Sequence, residues 1–521
     1  MVGGYGINFH KRTINKTQII INQKIKKLIN GQTRYIFFGD IILSIISLKF
    51  DWKSQSFLIL ALAALNQFST SVVTNMVPIL LPDISLDFGV TIAFLNWISL
   101  IFLMALIAAS IPLSKFISQY GVKRYTGVAI WCLIITLLIS SITSNMELFL
   151  ISRIVQGFSV AILYVSIYMI IILGMDENKT GKTLGIVGSF GILGLLISPS
   201  LVGFITYYTS WRFTFFIIIP ALLLQLIIIH FINDEWCIDK TPIDILGSIM
   251  YVSLIVFLVY GLSEIYTNGT FFLLMFAIIL IAFILYEKKQ EFPVYNLKLF
   301  NSIKYVIGNY AAMANYFVTF IAAYILSIYL QVVMGFDSRV AGLIMITSPI
   351  IMVFIAPYAG RLSDRKDPRL ISAIAMVFIC IAMIVLVFMQ YLPFYIIFIA
   401  LIIQGIGHGM FSSPNNRYVL TLVSVDDLSD ASALLSSIKE IGKMLSLAIF
   451  NIICVLYVGN VAIEQNVDGL IYSSRIMMNI AVIISLSSVI LLLYSKYHYR
   501  WVENQSIISI FTKIIPKWAK K

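Results

Sequence analysis

The run Leu370–Met389, LISAIAMVFICIAMIVLVFM, holds twenty residues without one charge. At about 1.5 Å of rise per helical residue it reaches about 30 Å, the thickness of a bilayer's hydrocarbon core. No water is present there to satisfy backbone amides, so such a run must close its hydrogen bonds internally, as a helix. Working outward, similar runs fill the chain. On the N-terminal side lie Ser56–Leu81, Thr91–Leu113, Tyr125–Thr143, Leu148–Leu173, Leu184–Tyr207, Phe213–Ile232, the pair Ile245–Leu262 and Phe271–Tyr286, then Val306–Leu330 and Ala341–Ala359. On the C-terminal side lie Pro393–Ser412, Ala431–Tyr457 and Ile476–Tyr494, which makes fourteen predicted crossings in all.

With 60% hydrophobic and 12% charged residues, and a mean hydropathy of +0.96, the chain is not an ordinary soluble globule. Its net charge of +12 would suggest nucleic acid in a soluble protein. Here the location of the charge decides otherwise. About thirty of the 36 Lys and Arg fall in the tails and alternate loops, and three, Arg212, Arg339 and Arg475, in the opposite loops. That bias places the basic side and both termini in the cytoplasm, with the protein multi-pass in the cell membrane. No soluble domain remains to carry a nucleic-acid surface. The expected organisation is a basic tail (1–55), a six-helix bundle (56–232), an inserted helix pair with its loop (233–304), a second six-helix bundle (305–495) and a basic amphipathic tail (496–521).

In the first tail Ile21, Ile25, Leu28 and Ile29 share a helical face away from Lys24, Lys26 and Lys27. In the last, Ile507, Phe511, Ile514, Ile515 and Trp518 form a stripe beside Lys513 and Lys517. Both read as helices lying on an anionic membrane surface or docking a partner. Tyr35–Leu48 is apolar but interrupted by Asp40 and too short to span, and reads as interfacial; no cleavable signal peptide is evident. Cys132, Cys237, Cys380 and Cys454 form no CxxC and read as packing thiols, with no metal site.

The chain repeats itself weakly: Ile111–Arg124 (IPLSKFISQYGVKR) and Ala356–Arg369 (APYAGRLSDRKDPR) are basic turns at matching places in two halves. Duplicated halves around a midplane site are a transporter arrangement. Further blocks occur in order: Arg153-Ile-Val-Gln156-Gly157; Gly191, Gly194, Ser198-Pro199 and Gly203; Ser210-Trp-Arg-Phe-Thr-Phe-Phe216 and Pro220; Asp244-Ile-Leu-Gly247; Tyr329-Leu-Gln331, Gly335 and Ala341-Gly-Leu343; Phe411-Ser-Ser-Pro414-Asn415. In these blocks, from Ser56 to Tyr494, the chain resembles the major facilitator superfamily. Within it, the chain resembles the fourteen-helix drug:proton antiporters of the quaternary-ammonium and multidrug exporter type. The resemblance implies an all-α integral membrane fold of two pseudo-symmetric six-helix bundles plus an inserted helix pair.

It also points to functional residues. Arg153, Gln156 and Gly157 match a motif of the fourth span; Arg153 reads as a coupling residue facing a polar interior, or as an anchor snorkelling outward. Pro199 and its neighbouring glycines match the antiporter motif and suit a moving helix contact. Asp364 and Arg365, with Arg361 and Arg369, read as a conformational latch or as a solvated turn. His408 in the twelfth span is either a titrating switch or a buried hydrogen-bonded imidazole. Glu440 and Lys443 are spaced to pair at i,i+3, with Lys439 beside them; Glu440 is the candidate coupling carboxylate. Asn66, Gln67, Asn75 and Trp97 are candidate cavity residues. Two positions depart from the pattern: Val73 stands where the first span usually has an acid, and the first-half turn offers Ser118 and Gln119 in place of its Asp.

The expected function is secondary active export of a hydrophobic or cationic small molecule, driven by inward proton movement. The alternatives are a facilitator or importer of a polar solute in the same fold, and a non-transporting membrane sensor. No HExxH, GxSxG or phosphate-cradling GxxxxGK[ST] occurs, so an enzyme, an ATP-driven pump and a bound cofactor are not expected.

Overall fold

The computed structural model describes residues 54–175, 177–237, 243–266, 268–290, 294, 297–423, 428–459 and 461–495. Contacts divide the chain into residues 1–57 and 58–521. The first unit is described only at 54–57, and the fold below belongs to the second. Both tails and the Tyr35–Leu48 segment lie outside the described residues.

The first half contains α1 (Gln55–Asn75), α2 (Val77–Phe88), α3 (Ile92–Tyr120), α4 (Val122–Ile142), α5 (Met146–Gly174), α6 (Glu177–Tyr208), a 3-10 turn at Trp211–Phe215 and α7 (Ile219–Phe231). The inserted pair is α8 (Ile245–Ser263) and α9 (Gly269–Glu287). The second half contains α10 (Ile303–Ile328), which ends in a π turn at Tyr329–Val333, then α11 (Ser338–Met345), α12 (Thr347–Arg365), α13 (Pro368–Val387), α14 (Tyr395–Leu420), α15 (Leu428–Tyr457) and α16 (Val467–Tyr494). Fourteen spans are long and apolar enough to cross a membrane, and no strand occurs among the described residues. The all-helical fold is the one the sequence predicts.

Local chemistry sets the helix ends. Asn145 accepts from the amides of Glu147 and Leu148, Asp244 from Gly247, Asp337 from Val340 and Asp367 from Arg369, each satisfying a donor that the first helical turn leaves free. Gly89 ends α2 in the left-handed region at φ 62°. The Ser210-Trp-Arg block has a physical reason. Ser210 caps its turn, Trp211 Nε1 donates to Asp87 at 3.0 Å, and Arg212 pairs with the same carboxylate and donates to the Thr143 carbonyl at 3.1 Å. One arginine thereby ties the tip of α2 to the end of α4. Nearby, burial pushes the Asp83 carboxyl above its ordinary value.

Three expectations are corrected. The first predicted span is two helices, parted at Met76 where Pro78 follows closely and removes an amide donor. The second span continues to Tyr120. α16 begins at Val467, so Arg475 lies within a helix instead of a loop; its side chain reaches out to donate to the Tyr391 hydroxyl at 2.7 Å.

In the first half α5 packs on α3, α4 and α6; in the second, α14 packs on α12 and α13, and α10 on α15 and α16. Of the inserted pair, α8 lies against α3 and α15. Close approach of α3 and α5 depends on Gly157, where a Cβ would sit 2.5 Å from the Phe102 carbonyl oxygen and 2.8 Å from Ala105 Cβ. Gly157→Val is therefore expected to cost about 3 kcal/mol through overpacking. A fall in the thermal unfolding midpoint of the purified protein checks this, with Gly185→Ala, where nothing lies within 4 Å, as the unaffected control.

Candidate functional site

The hydrogen bonds that join the two halves cluster at one end of the bundles, the far end, which carries Phe88, Tyr208 and Gly335. Ser327 Oγ donates to the Pro78 carbonyl at 2.8 Å and Gln331 Nε2 to that of Ile79 at 3.2 Å. Asn96 donates to Asn451 Oδ1 at 3.0 Å and accepts from the Tyr324 hydroxyl at 2.8 Å. Ser338 Oγ donates to the Gly203 carbonyl at 3.2 Å. Here α6 and α11 meet backbone to backbone: Pro199 is buried, and its carbonyl abuts Gly342. The small residues of the sixth helix thus serve an interface between halves, as small residues do where helices cross closely in lipid.

Below this closed layer, near the middle of their helices, lies a cluster of polar and charged groups. Lys443 Nζ pairs with Glu440 Oε1 at 2.8 Å, the two side chains retaining 12% and 17% exposure. Glu440 Oε2 is buried and unpartnered among the described residues. Lys439 Nζ donates to Asn416 Oδ1 at 2.8 Å. Both ammonium groups lie 5.5 Å from the centre of the Tyr316 ring. His408 shares a hydrogen bond of 2.7 Å through Nδ1 with Asn315 Oδ1, and its ring meets Tyr316 edge-on at 5.3 Å. From the first half, Tyr164 lies within electrostatic reach of Glu440 and Tyr168 within reach of Tyr316. Tyr164 also shares a 3.4 Å hydrogen bond with Thr74. This is the place where charged side chains of one half face polar aromatics of the other.

Arg153 lies apart from that cluster, inside the first half, and is 1% exposed. Its Nη1 donates to Gln156 Oε1 at 2.6 Å and its Nε to the Ile98 carbonyl at 3.3 Å, with the guanidinium 4.2 Å from the centre of the Phe102 ring. Gln156 in turn donates to Ser140 Oγ at 2.9 Å and to the Thr136 carbonyl at 3.2 Å. The arginine does not reach the membrane surface; it joins α3, α4 and α5.

The remaining candidates are dispersed. Asn66 is fully buried, donates to the Leu163 carbonyl at 3.4 Å and leaves its Oδ1 unpartnered among the described residues. Gln67 lies against Gly191 of α6, and Asn75 donates to the Ser71 carbonyl of its own helix at 2.7 Å. The Trp97 ring stands 6.0 Å from Tyr260 of α8, toward the inserted pair. Val73, in the acid's place, is fully buried in the apolar core. Asp364 pairs with Arg417 of α14, and not with Arg361, Arg365 or Arg369; Arg365 is exposed. Arg369 turns to Asp367 and to the carbonyls of Leu493 and Ser495. The Asp364–Arg417 side chains are 65% and 37% exposed, so Arg417→Ala is expected to change stability by less than about 1 kcal/mol in a denaturation titration.

A family model of the Major Facilitator Superfamily matches residues 62–302 and 309–511. The chain belongs to the major facilitator superfamily. It is thus a multi-pass membrane transporter and not an enzyme. This transporter is similar to the riboflavin transporter RibZ of Clostridioides difficile, at 25% identity over 400 residues that cover 76% of this chain and 88% of that protein. It is also similar to the multidrug resistance protein Stp of Mycobacterium tuberculosis, at 20% identity over 72% of this chain and 71% of that one. A solved bacterial homolog of the human lysosomal transporter Spinster shares the fold, with a TM-score of 0.61 at 14% identity, covering 85% of this chain and 99% of that chain.

Sequence reasoning about this transporter missed Tyr164, Tyr168, Asn416, Arg417 and Glu235. The Glu235 carboxylate accepts from the amides of Lys123 at 2.8 Å and Arg124 at 3.2 Å, capping α4 where the first-half turn lacks its own acid. The acidic pair Asp234-Glu235 just beyond α7 was the available signal.

Proposed function

We propose that this transporter exports hydrophobic small molecules across the cell membrane by alternating access, driven by inward proton movement, with its termini in the cytoplasm. The observation that carries the reading is the Glu440–Lys443 pair near the middle of its helix, largely buried with a small part of each side chain exposed, and within electrostatic reach of Tyr164 of the other half. With Glu440 ionised, the pair is neutral. A proton arriving on the unpartnered Oε2 releases Lys443 and adds one positive charge to a region of low dielectric. A change of that size alters which packing of the bundles 56–232 and 305–495 is favoured. His408, on the same cluster, is the second candidate for holding the proton.

In this reading Pro199 and the α6–α11 contact form the far gate. Arg153, Gln156 and Gly157 keep α3 and α5 moving as one body, Asp364 and Arg365 belong to the near-end gate, and Asn66, Gln67, Asn75 and Trp97 border the substrate route. Likeness to a multidrug resistance protein supports export. Likeness to a riboflavin transporter supports the second reading, entry or facilitated passage of a polar solute. Transport of lipophilic probes into proteoliposomes, with and without an imposed pH gradient, separates them. Export coupling predicts accumulation that rises with the gradient; counterflow indifferent to pH supports the second reading and contradicts the first.

A further inference from the structure

The charges of the mid-depth cluster do not balance. Lys443 is neutralised by Glu440 at 2.8 Å. Lys439 has only the amide oxygen of Asn416 and the face of Tyr316, and no carboxylate within ion-pair distance among the described residues. The titratable groups that act on it are Glu440, whose carboxylate is already engaged by Lys443, Lys443 itself, His408 and Tyr316, so the cluster of two ammonium groups and one carboxylate carries one positive charge in excess. An unmatched, partly buried ammonium inside a membrane-spanning bundle is costly. It is retained where something else supplies the counter-charge. The Tyr316 ring lies 5.5 Å from both ammonium groups and Phe320 lies 6.0 Å from Lys443, while Tyr164 and Tyr168 of the other half come within electrostatic reach of Glu440 and Tyr316.

We propose that the site takes an aromatic organic anion, its acid group on the Lys439 ammonium and its ring among these tyrosines. This is the opposite sign to the cationic substrate that the sequence resemblance implies. An anion completes the charge count, and an aromatic ring matches the surrounding π faces. A lipophilic cation in the same place would stand beside two ammonium groups and one carboxylate already engaged. The inference rests on reading this cluster as the substrate site of the proposed transporter.

The test is equilibrium binding, which needs no gradient. The full chain in phosphatidylcholine nanodiscs is titrated calorimetrically with 1-naphthoate and with 1-naphthylmethylammonium, which share one ring system, after subtraction of empty nanodiscs. Naphthoate is expected to bind about tenfold more tightly or better. Lys439→Gln is expected to bring the two ligands within about twofold, and Lys439→Arg, which keeps the charge, to preserve the preference. Glu440→Gln, which leaves Lys443 unneutralised, is expected to raise it. No naphthoate binding, equal or tighter binding of the ammonium, or a preference that survives Lys439→Gln overturns the proposal. A chain that binds naphthoate but shows no pH-driven flux contradicts the transport reading alone; one that pumps yet prefers the ammonium contradicts this inference alone.

Discussion

Glu440→Gln is expected to abolish the response of transport to a pH gradient while leaving substrate exchange intact. The amide is nearly isosteric, and its Oε1 can still accept from Lys443, which in the native chain lies 2.8 Å from the carboxylate. What it cannot do is take up and release a proton. In the native chain, about 2.3 kcal/mol per 100 mV and about 1.4 kcal/mol per pH unit together sustain a substrate gradient of about several hundredfold. Without a titrating group that ceiling falls to about one. The measurement is the steady-state accumulation ratio in proteoliposomes at imposed gradients of zero and one pH unit, alongside counterflow with no gradient. A variant that still accumulates with the gradient removes Glu440 from the proton path and leaves His408 as the group to test.

The second large effect belongs to Arg153. Arg153→Ala leaves Gln156 Oε1 and the Ile98 carbonyl without their donor and empties the space over Phe102. Leaving a buried amide oxygen without its donor and opening a cavity over the ring costs about 2–4 kcal/mol. Arg153→Lys keeps the charge but supplies one compact ammonium for acceptors that a planar fork reaches in two directions, so most of the loss is expected to remain. Arg153→Met tells packing from function: it restores apolar volume and is expected to recover stability, yet not pH-driven flux, because the polar tie among α3, α4 and α5 is gone. Unfolding midpoints and flux measured on the same three variants check this. Stability of Arg153→Ala within about 1 kcal/mol of the native chain contradicts the network account.

The fold was legible in the sequence because the solvent dictates it. Runs such as Leu370–Met389 permit one backbone solution in lipid, and the basic stretches Ile111–Arg124 and Ala356–Arg369, read as turns but helical to Tyr120 and Arg365, mark the two halves. Short-range pairings were legible for a related reason. Arg153–Gln156 and Glu440–Lys443 lie three residues apart, which places them on one helical face. Partners supplied by distant segments were not. Asp364 meets Arg417, 53 residues away, and the first-half turn takes its cap from Glu235, 112 residues beyond Lys123. No local spacing encodes such meetings; they follow from which helix ends packing brings together. Tyr164 and Tyr168 were hidden among many aromatics, since a chain with 27 tyrosines and 36 phenylalanines gives no signal as to which ones face the other half. The break at Met76 was obscured because an apolar run reads as continuous through a proline near a helix start.

The central claim is that two bundles reorient about the mid-depth cluster, opening one end as the other closes. Spin labels measure this directly, on a chain whose four cysteines, Cys132, Cys237, Cys380 and Cys454, are replaced by serine or alanine. One pair, Leu86 with Tyr391, spans the halves at the far end; the other, Tyr120 with Tyr358, spans them at the near end, and all four side chains are exposed. Pulsed electron–electron distances in nanodiscs, taken at high and low pH and with naphthoate, are expected to change in opposite senses, the far pair lengthening by several ångströms in the population where the near pair shortens. Two distances that move together, or that ignore both pH and ligand, would contradict the account.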